Sequence, residues 1–367
     1  ICGSWFVGDE LPRICDALPG DIDMSLTVGR GGQRPSDGSR SWEIVETIRA
    51  HGIEPQVQLE EISNPWKPLG PMLGFPFPHL CHGMLRDAKT EGRVQDLILR
   101  GGIQSEVFVP NFINNEVIRA FGAEGLDLDL DDLLARRAIA WTSTPADAAR
   151  LVEAWGLCDE AVSNYSVLAW TVTLVSARTL WRRLVRPLTP DQSQLTWEDW
   201  RYYRHLEFNV GADDPAWIDH FYKGWGRMIS DDVARAAVVR YDEGMLPRLR
   251  EAVTALDDSE DMSEIARDCR DRISCLHHAL TTERNMLQIQ ERIHACLADD
   301  REHPETSEHL PIIREAMTAE MDNTREFIEL LASSPSTLLP STSGIETTYM
   351  LRAPISHLLR QKVTSME

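Results

Sequence analysis

The feature that most constrains the fold of this chain is a change in the spacing of its apolar residues near position 122. Before that position, short alternating patterns are each followed by an amphipathic helical pattern, at a spacing of roughly 35 residues that is typical of strand–helix units in a parallel sheet. Beyond it the spacing is helical throughout. The sequence therefore predicts a sheet covered by helices in its first part and an all-helical second part.

Four strand–helix units are predicted in the first part. The predicted strands span residues 1–5, 21–28, 55–60 and 94–100. The helices that follow them span residues 9–18, 41–51, 78–91 and 113–121. The loops after the strands are long and polar or aromatic, whereas the turns before them are short, and this asymmetry favours a barrel with its site at the carboxyl ends of the strands. An open doubly wound sheet is the alternative, although no GxGxxG motif opens a helix here.

The predicted fold class is thus α/β followed by all-α. The expected organisation is the C-terminal part of a (β/α)8 barrel at residues 1–122, a helical-bundle domain at 123–335 and a linker or tail at 336–367. The helical patterns after the barrel part cover residues 131–141, 145–156, 159–185, 230–256, 262–297 and 305–332. Because the chain starts without methionine, in what looks like the end of a strand, we expect a fragment whose first barrel strands are missing.

Composition and charge narrow the classes of partner. With 58 acidic and 37 basic residues the net charge is −21, which argues against nucleic acid or an anionic membrane surface as the main partner. No apolar run approaches the roughly 20 residues that a membrane-spanning helix needs. The seven cysteines are widely spaced and form no CxxC motif, so neither a disulfide framework nor a zinc ribbon is indicated. No cofactor is expected.

The stretch that carries the functional prediction runs from Pro55 to Trp66, with the sequence PQVQLEEISNPW. Apolar Val57 and Leu59 alternate with polar residues, so one face of the strand is expected to pack against helices. The polar face would then place a carboxylate at the strand end, where a barrel has its active site. Glu60 is the candidate catalytic residue and Glu61 the reserve. The alternative is that both glutamates are solvated loop residues.

These residue types suit cleavage of a glycosidic bond. That reaction uses two carboxyl groups separated by roughly 5 to 10 Å, one as acid and one as base or nucleophile, and no partner for Glu60 is evident. Candidate sugar contacts are amides for hydroxyl groups, indoles for stacking and arginines for acidic groups. They are Gln58, Asn64, Trp66, Trp5, Arg30 and Arg100. The aromatic residues, with Phe75 and Phe77, could instead pack as a lid, and the arginines could form structural salt bridges.

Three other clusters have a structural explanation and a functional one. Two of the clusters contain metal-ligand residue types: His79, Cys81 and His82, and Cys275, His277 and His278. Neither cluster has an evident further ligand, so packing or capping is favoured and no metal site is predicted. Asparagines 111, 114 and 115 could bind sugar hydroxyl groups or cap the helix that begins beside them.

Several short motifs follow one another in a recognisable order. A strand ending in Q-x-E is followed by NPW, PFPHL, RGG, NNEV, LLARRAIAW and LVEAWGLCDEAVSNY. Over about residues 1–180 this layout resembles the C-terminal half of large bacterial glycoside hydrolases, the alpha-glucuronidase-like and hexosaminidase-like enzymes, in which a barrel precedes a helical domain. The resemblance implies a carbohydrate substrate and a catalytic carboxylate at the end of a late strand, a role that falls to Glu60.

Two other functions remain open at this point. The chain could be a non-catalytic carbohydrate-binding or assembly protein, in which the helical part forms a protein interface. The absence of a second carboxylate near Glu60 would favour that function. A metal-dependent hydrolase of the amidohydrolase type is disfavoured because no predicted strand carries an HxH pattern.

Overall fold

A computed structural model of the chain describes most of its secondary structure. The described residues are 13, 15–16, 25–28, 41–60, 74–94, 97–100, 109–172, 184–187, 196–197, 231–259, 262–299, 308–339 and 354–367. Within some helices and strands only the backbone is described, and this applies to Gln58, Glu60 and Arg100 among the candidate residues.

Three short strands form a parallel sheet in the order β1–β2–β3. They are β1 (Ser25–Val28), β2 (Gln56–Glu60) and β3 (Leu97–Arg100). Val57 and Leu59 of β2 are completely buried, as the alternation in the sequence predicts, and Gln56 is exposed. One face of the central strand therefore lies in the hydrophobic core.

Helices connect and follow these strands. They are α1 (Ser41–Ala50), α2 (Pro78–Thr90) and α3 (Ile113–Glu124). Arg49, near the end of α1, donates to the carbonyl oxygens of Gly92 and Arg93 in the turn after α2, at 2.8 and 3.1 Å. A Cβ atom on Gly92 would lie only 2.5 Å from Cζ3 of Trp42, so glycine is required where this turn passes the indole ring of α1.

The rest of the described chain is helical. The helices are α4 (Leu130–Trp141), α5 (Pro145–Val172), α6 (Asp231–Arg240), α7 (Leu246–Asp257), α8 (Glu264–Asp299), α9 (Leu310–Ser333) and α10 (Ile355–Met366). A π-helical turn, Tyr241–Met245, joins α6 to α7. Pro247 explains its position, because proline cannot donate a hydrogen bond to the carbonyl four residues earlier, that of Glu243.

The predicted fold class is wrong at the level of architecture. The three strands contain four, five and four residues, whereas the helices reach 36 residues, so the described chain is mostly α-helical and not a partial (β/α)8 barrel followed by helices. A sheet of three short strands cannot close on itself, since a barrel with a packed interior needs about eight tilted strands. The strand predicted at residues 1–5 lies outside the described residues.

One hydrophobic core crosses the boundary predicted at residue 122. It contains Val57 of the sheet, Leu85 of α2, Leu134 of α4, Trp155 of α5 and Leu276 of α8, all at most 2% exposed. Five of the six described cysteines are buried and all six are unpaired, so most of them pack as small core residues. None of the described helices combines the length and apolar character that crossing a membrane requires.

One predicted helix end and one segment predicted as linker or tail differ in the structure. The sequence predicts that a helix ends at Gly156, but α5 runs through it to Val172. A single glycine is tolerated inside a helix at a cost of about 1 kcal/mol, and packing of the neighbouring Trp155 compensates for it. Residues 355–366, predicted as part of a linker or tail, form α10, which packs on α9.

A buried ion pair joins α10 to α9. Lys362 and Glu320 have no solvent-exposed side-chain surface, and the Lys362 ammonium donates to Glu320 and, at 3.0 Å, to the carbonyl oxygen of Leu184. Thr282 and Asn285 of α8 donate to the same carboxylate at 2.7 and 2.9 Å. Because the carboxylate oxygens of Glu320 accept hydrogen bonds from several donors, its buried negative charge is compensated.

Candidate functional site

The predicted catalytic residue lies opposite one of the predicted arginines. Glu60 is the last residue of β2 and Arg100 the last residue of β3, and the two are Cα partners in the parallel register. Adjacent strands lie about 4.8 Å apart, so these two backbone positions are direct neighbours. The structure therefore brings Glu60 and Arg100 to one edge of the sheet, the carboxyl edge.

Gln58 is two residues before Glu60 on the same strand. It pairs in register with Thr27 of β1 on one side and with Ile98 of β3 on the other. Because side chains alternate along a strand, positions 58 and 60 share one face of the sheet, the face opposite to buried Val57 and Leu59. The remaining candidates lie outside the described residues: Glu61, Asn64, Trp66, Arg30 and Trp5.

Two aromatic residues of the loop after β2 belong to the core. Phe75 and Phe77 are completely buried, so they pack inside the molecule and offer no exposed ring to a sugar. Gly74 has a φ of +71°, and a Cβ atom there would lie 2.6 Å from Cγ1 of Val109. Glycine is therefore needed at this turn, both for the backbone conformation and for the close approach.

Asn114 fixes this segment in place. Its Oδ1 accepts a hydrogen bond from the Phe77 backbone N–H at 2.9 Å, and its Nδ2 donates to the Phe75 carbonyl at 3.2 Å. Asn114 is completely buried, so it neither caps its own helix nor reaches a ligand. Asn111 is exposed and Asn115 is half-buried.

The first turn of α2 holds a histidine–carboxylate pair. His79 Nδ1 and Asp159 Oδ2, from α5, are 2.8 Å apart. The same carboxylate accepts hydrogen bonds from the backbone N–H groups of His79 and Leu80, at 3.0 and 2.8 Å. Asp159 thus caps the N-terminus of α2 from another helix, which the local sequence cannot do, because Phe77 stands at the N-cap position.

Burial and pairing shift the acidity of these two groups. The hydrogen bond to Asp159 raises the pKa of His79, against an opposing effect of burial. Burial raises the pKa of Asp159, and the hydrogen bonds that it accepts oppose that shift. The pair therefore retains a proton more firmly than separate groups in water would.

Apart from His79, the described side chains of the two histidine–cysteine clusters pack against their neighbours, the alternative that the sequence favours. Cys81 is completely buried, and His82 lies with its ring edge against Phe121 at 5.8 Å between centroids. In the bundle, the His278 ring stacks on Phe327 and its Nδ1 lies 2.9 Å from Asn323 Oδ1. Within the described part of the chain, no group of three or more His, Cys, Asp or Glu residues is placed to hold a metal ion.

A cleft of about 1040 Å³ opens beside the His79–Asp159 pair. Its walls are the first turn of α2, the middle of α5 and the segment from α6 through the π-helical turn to α7. The lining residues that carry its chemistry are His79, Asp159, Glu160, Arg240, Glu243 and Arg248. Gly156 also lines the cleft, and a Cβ atom on it would have no atom within 4 Å.

Sequence reasoning missed this cleft because its residues come from three separate parts of the chain. His79 and Asp159 are 80 positions apart, so no local pattern joins them. One signal was present: α2 begins with Pro78 after Phe77, which lacks a capping side chain, so its backbone N–H groups need a partner from elsewhere. The sequence thus indicates that α2 needs a capping partner, but it does not indicate that this partner is Asp159.

The fold resembles that of one solved glycoside hydrolase. No family model matches the chain, and no curated protein matches it by sequence. A solved structure of a GH138 enzyme targeting pectin rhamnogalacturonan II is similar, with a TM-score of 0.58 and 9% sequence identity. The match covers 100% of this chain and 55% of that chain, so this chain spans little more than half of that enzyme. The chain therefore shares its fold with about half of that enzyme.

Proposed function

We propose that this chain is part of a glycoside hydrolase in which Glu60 acts as the acid or the nucleophile. The observation that carries the proposal is the register of β2 and β3, which sets Glu60 opposite Arg100 at the carboxyl edge of the sheet. The similarity of the fold to that of a carbohydrate-cleaving enzyme supports the same reaction class. The alpha-glucuronidase-like and hexosaminidase-like enzymes are the groups to which we assign it.

Each residue at the sheet edge has a role in this proposal. The Glu60 carboxyl protonates the leaving oxygen or attacks the anomeric carbon, and a second carboxyl group completes the pair. Gln58 shares a face of β2 with Glu60 and binds sugar hydroxyl groups. Arg100, with its planar guanidinium group, orients a hydroxyl or carboxylate group of the sugar. Asn64, Trp66, Trp5 and Arg30 remain proposed substrate contacts, and Glu61 remains the reserve for Glu60.

The test is turnover of a panel of aryl glycosides and aryl uronides by the full chain and by the Glu60→Gln variant. Loss of a general acid or nucleophile should lower kcat by about 10²-fold to 10⁴-fold while the protein stays folded. Glu54→Gln is the matched control, because Glu54 precedes the same strand and pairs with Arg49 at 2.7 Å. That variant should keep full activity.

Two outcomes would contradict the proposal. Turnover by the wild-type chain that survives Glu60→Gln would remove Glu60 from the mechanism. A chain that binds glycan without cleaving any substrate of the panel would instead be the non-catalytic carbohydrate-binding protein that the sequence left open. Circular dichroism of the variants separates both outcomes from unfolding.

A further inference from the structure

The cleft beside α2 is separate from the carboxyl edge of the sheet. Its described lining comes from α2, α5, α6, the π-helical turn and α7, and includes no residue of β1, β2 or β3. Its volume of about 1040 Å³ suits a small molecule. A π-helical turn inside a longer helix often marks a functional site, and here it supplies Glu243 and Gly244 to the cleft wall.

Most charged groups in this cleft already have partners. Arg248 Nε lies 3.0 Å from Glu160 Oε2, and His79 Nδ1 lies 2.8 Å from Asp159 Oδ2. Arg240 is different: it is half-buried, and no described acidic side chain forms an ion pair with it. A guanidinium group that is partly removed from water without a carboxylate partner is a ready site for an anion.

His79 offers a second cationic contact. Its Nδ1 is held by Asp159, so the other ring nitrogen, Nε2, is left for a ligand, and 43% of the side chain is exposed. The hydrogen bond from Asp159 raises the pKa of His79, which favours the charged imidazolium. The hydrogen bond also orients the ring, because it holds Nδ1 at the Asp159 carboxylate.

The charged residues that line the cleft indicate which class of anion it can bind. Arg240, Arg248 and protonated His79 are balanced by Asp159, Glu160 and Glu243, so the lining as a whole is neutral. A dianion such as phosphate would be repelled by the two exposed glutamates. A singly charged carboxylate that also carries hydroxyl groups fits better, because Glu243 can accept hydrogen bonds from hydroxyl groups.

We propose that this cleft binds a small hydroxy-carboxylate, such as a sugar acid, through the guanidinium group of Arg240 and the imidazole ring of His79. Arg240 binds the carboxylate and Glu243 accepts from the hydroxyl groups. This site is additional to the sheet edge and does not depend on cleavage of a glycosidic bond.

The first experiment is calorimetric titration of the full chain with three probes: D-glucuronate, D-glucose and acetate. Glucuronate should bind, glucose should not bind because it has the same ring without the carboxylate, and acetate should bind more weakly than glucuronate. Equal binding of glucose and glucuronate would contradict the role of Arg240. An absence of glucuronate binding at tens of millimolar would overturn the proposal.

Variants of the cleft locate the binding. Arg240→Gln should weaken glucuronate binding by about tenfold or more, the loss expected for one charge-assisted contact. Gly156→Leu should block the cleft, because a Cβ atom there meets open space and the larger side chain extends into it. Arg136→Gln is the matched control, since Arg136 is an exposed arginine on α4 that pairs with Asp132 at 2.7 Å.

The Glu60→Gln variant distinguishes this site from the sheet edge. It should bind glucuronate as the wild-type chain does, even if all turnover is lost. Glucuronate binding that vanishes in Glu60→Gln and survives in both Arg240→Gln and Gly156→Leu would place the ligand at the sheet edge and would refute the cleft site.

Discussion

At the scale of single residues, the same residue type serves very different purposes in this molecule. Asn114 is one of three asparagines that the sequence marks as polar candidates, yet it alone is completely buried. Its side-chain amide satisfies a backbone donor and a backbone acceptor of the Phe75–Phe77 segment. The fold determines the burial and the hydrogen-bond partners of Asn114, and these determine its role. The sequence shows only that the side chain is an amide.

Replacing Asn114 by Leu should therefore destabilise the protein. Leucine fills a similar volume but leaves the Phe77 N–H and the Phe75 carbonyl without this partner, at a cost of about 2–4 kcal/mol for two unsatisfied buried groups. Urea denaturation measures the free energy of unfolding. Asn115→Ala, on the same helix, is the control and should change it by less than about 0.5 kcal/mol. Equal stability of Asn114→Leu and wild type would show that the two hydrogen bonds contribute nothing net.

At the scale of elements, local chemistry predicts helix starts where the cap is local and fails where it is not. Thr144 directly precedes α5, and its Oγ1 accepts a hydrogen bond from the Asp147 N–H at 3.1 Å, so this cap is local. The cap of α2 comes from Asp159, which no neighbouring sequence could indicate. The end predicted at Gly156 is wrong because packing against other helices outweighs the weak helix propensity of one glycine.

The docking of α10 gives a prediction at this scale. Lys362→Met should cost about 3–5 kcal/mol, because it leaves the Glu320 carboxylate buried without its cation. Adding Glu320→Gln removes the buried charge and should recover part of that loss. Chemical denaturation of the two single variants and the double variant measures the coupling. A double variant less stable than Lys362→Met alone would contradict this explanation.

At the scale of the whole molecule, the stability of the fold should depend on the proton held between α2 and α5. The pKa of His79 is raised by its hydrogen bond to Asp159, so its contribution is complete below the ordinary value of 6.5 and is lost as pH rises through the raised pKa. His79→Asn should therefore cost more free energy of unfolding in acid than in alkali. Because His79 is partly exposed, the difference should be below about 1 kcal/mol.

Unfolding of wild type and His79→Asn at about pH 5.5 and about pH 8.5 measures that difference, since these values lie on either side of the ordinary histidine range. His357→Asn, on α10, is the control and should change the free energy of unfolding by less than about 0.5 kcal/mol at either pH. A larger loss in alkali than in acid for His79→Asn would reverse the sign and refute the role of the pair.

Local patterns in the sequence located several of the helices and strands and the candidate residues at the sheet edge. Apolar spacing is local, so the positions of β2, α2 and the long helices α8 and α9 could be predicted to within a few residues. Glu60, Gln58 and Arg100 were identified because polar residues at strand ends stand out against an apolar pattern.

The architecture and the cleft depend on how distant segments of the chain pack together. Whether strands close into a barrel depends on their number and on pairings between distant segments, so four predicted strand–helix units did not imply a barrel. The pair of His79 with Asp159 and the position of Arg240 likewise depend on helices far apart in sequence. The physical reason is the same in both cases: contacts between distant segments form only when the chain packs, and no local spacing of residues records them.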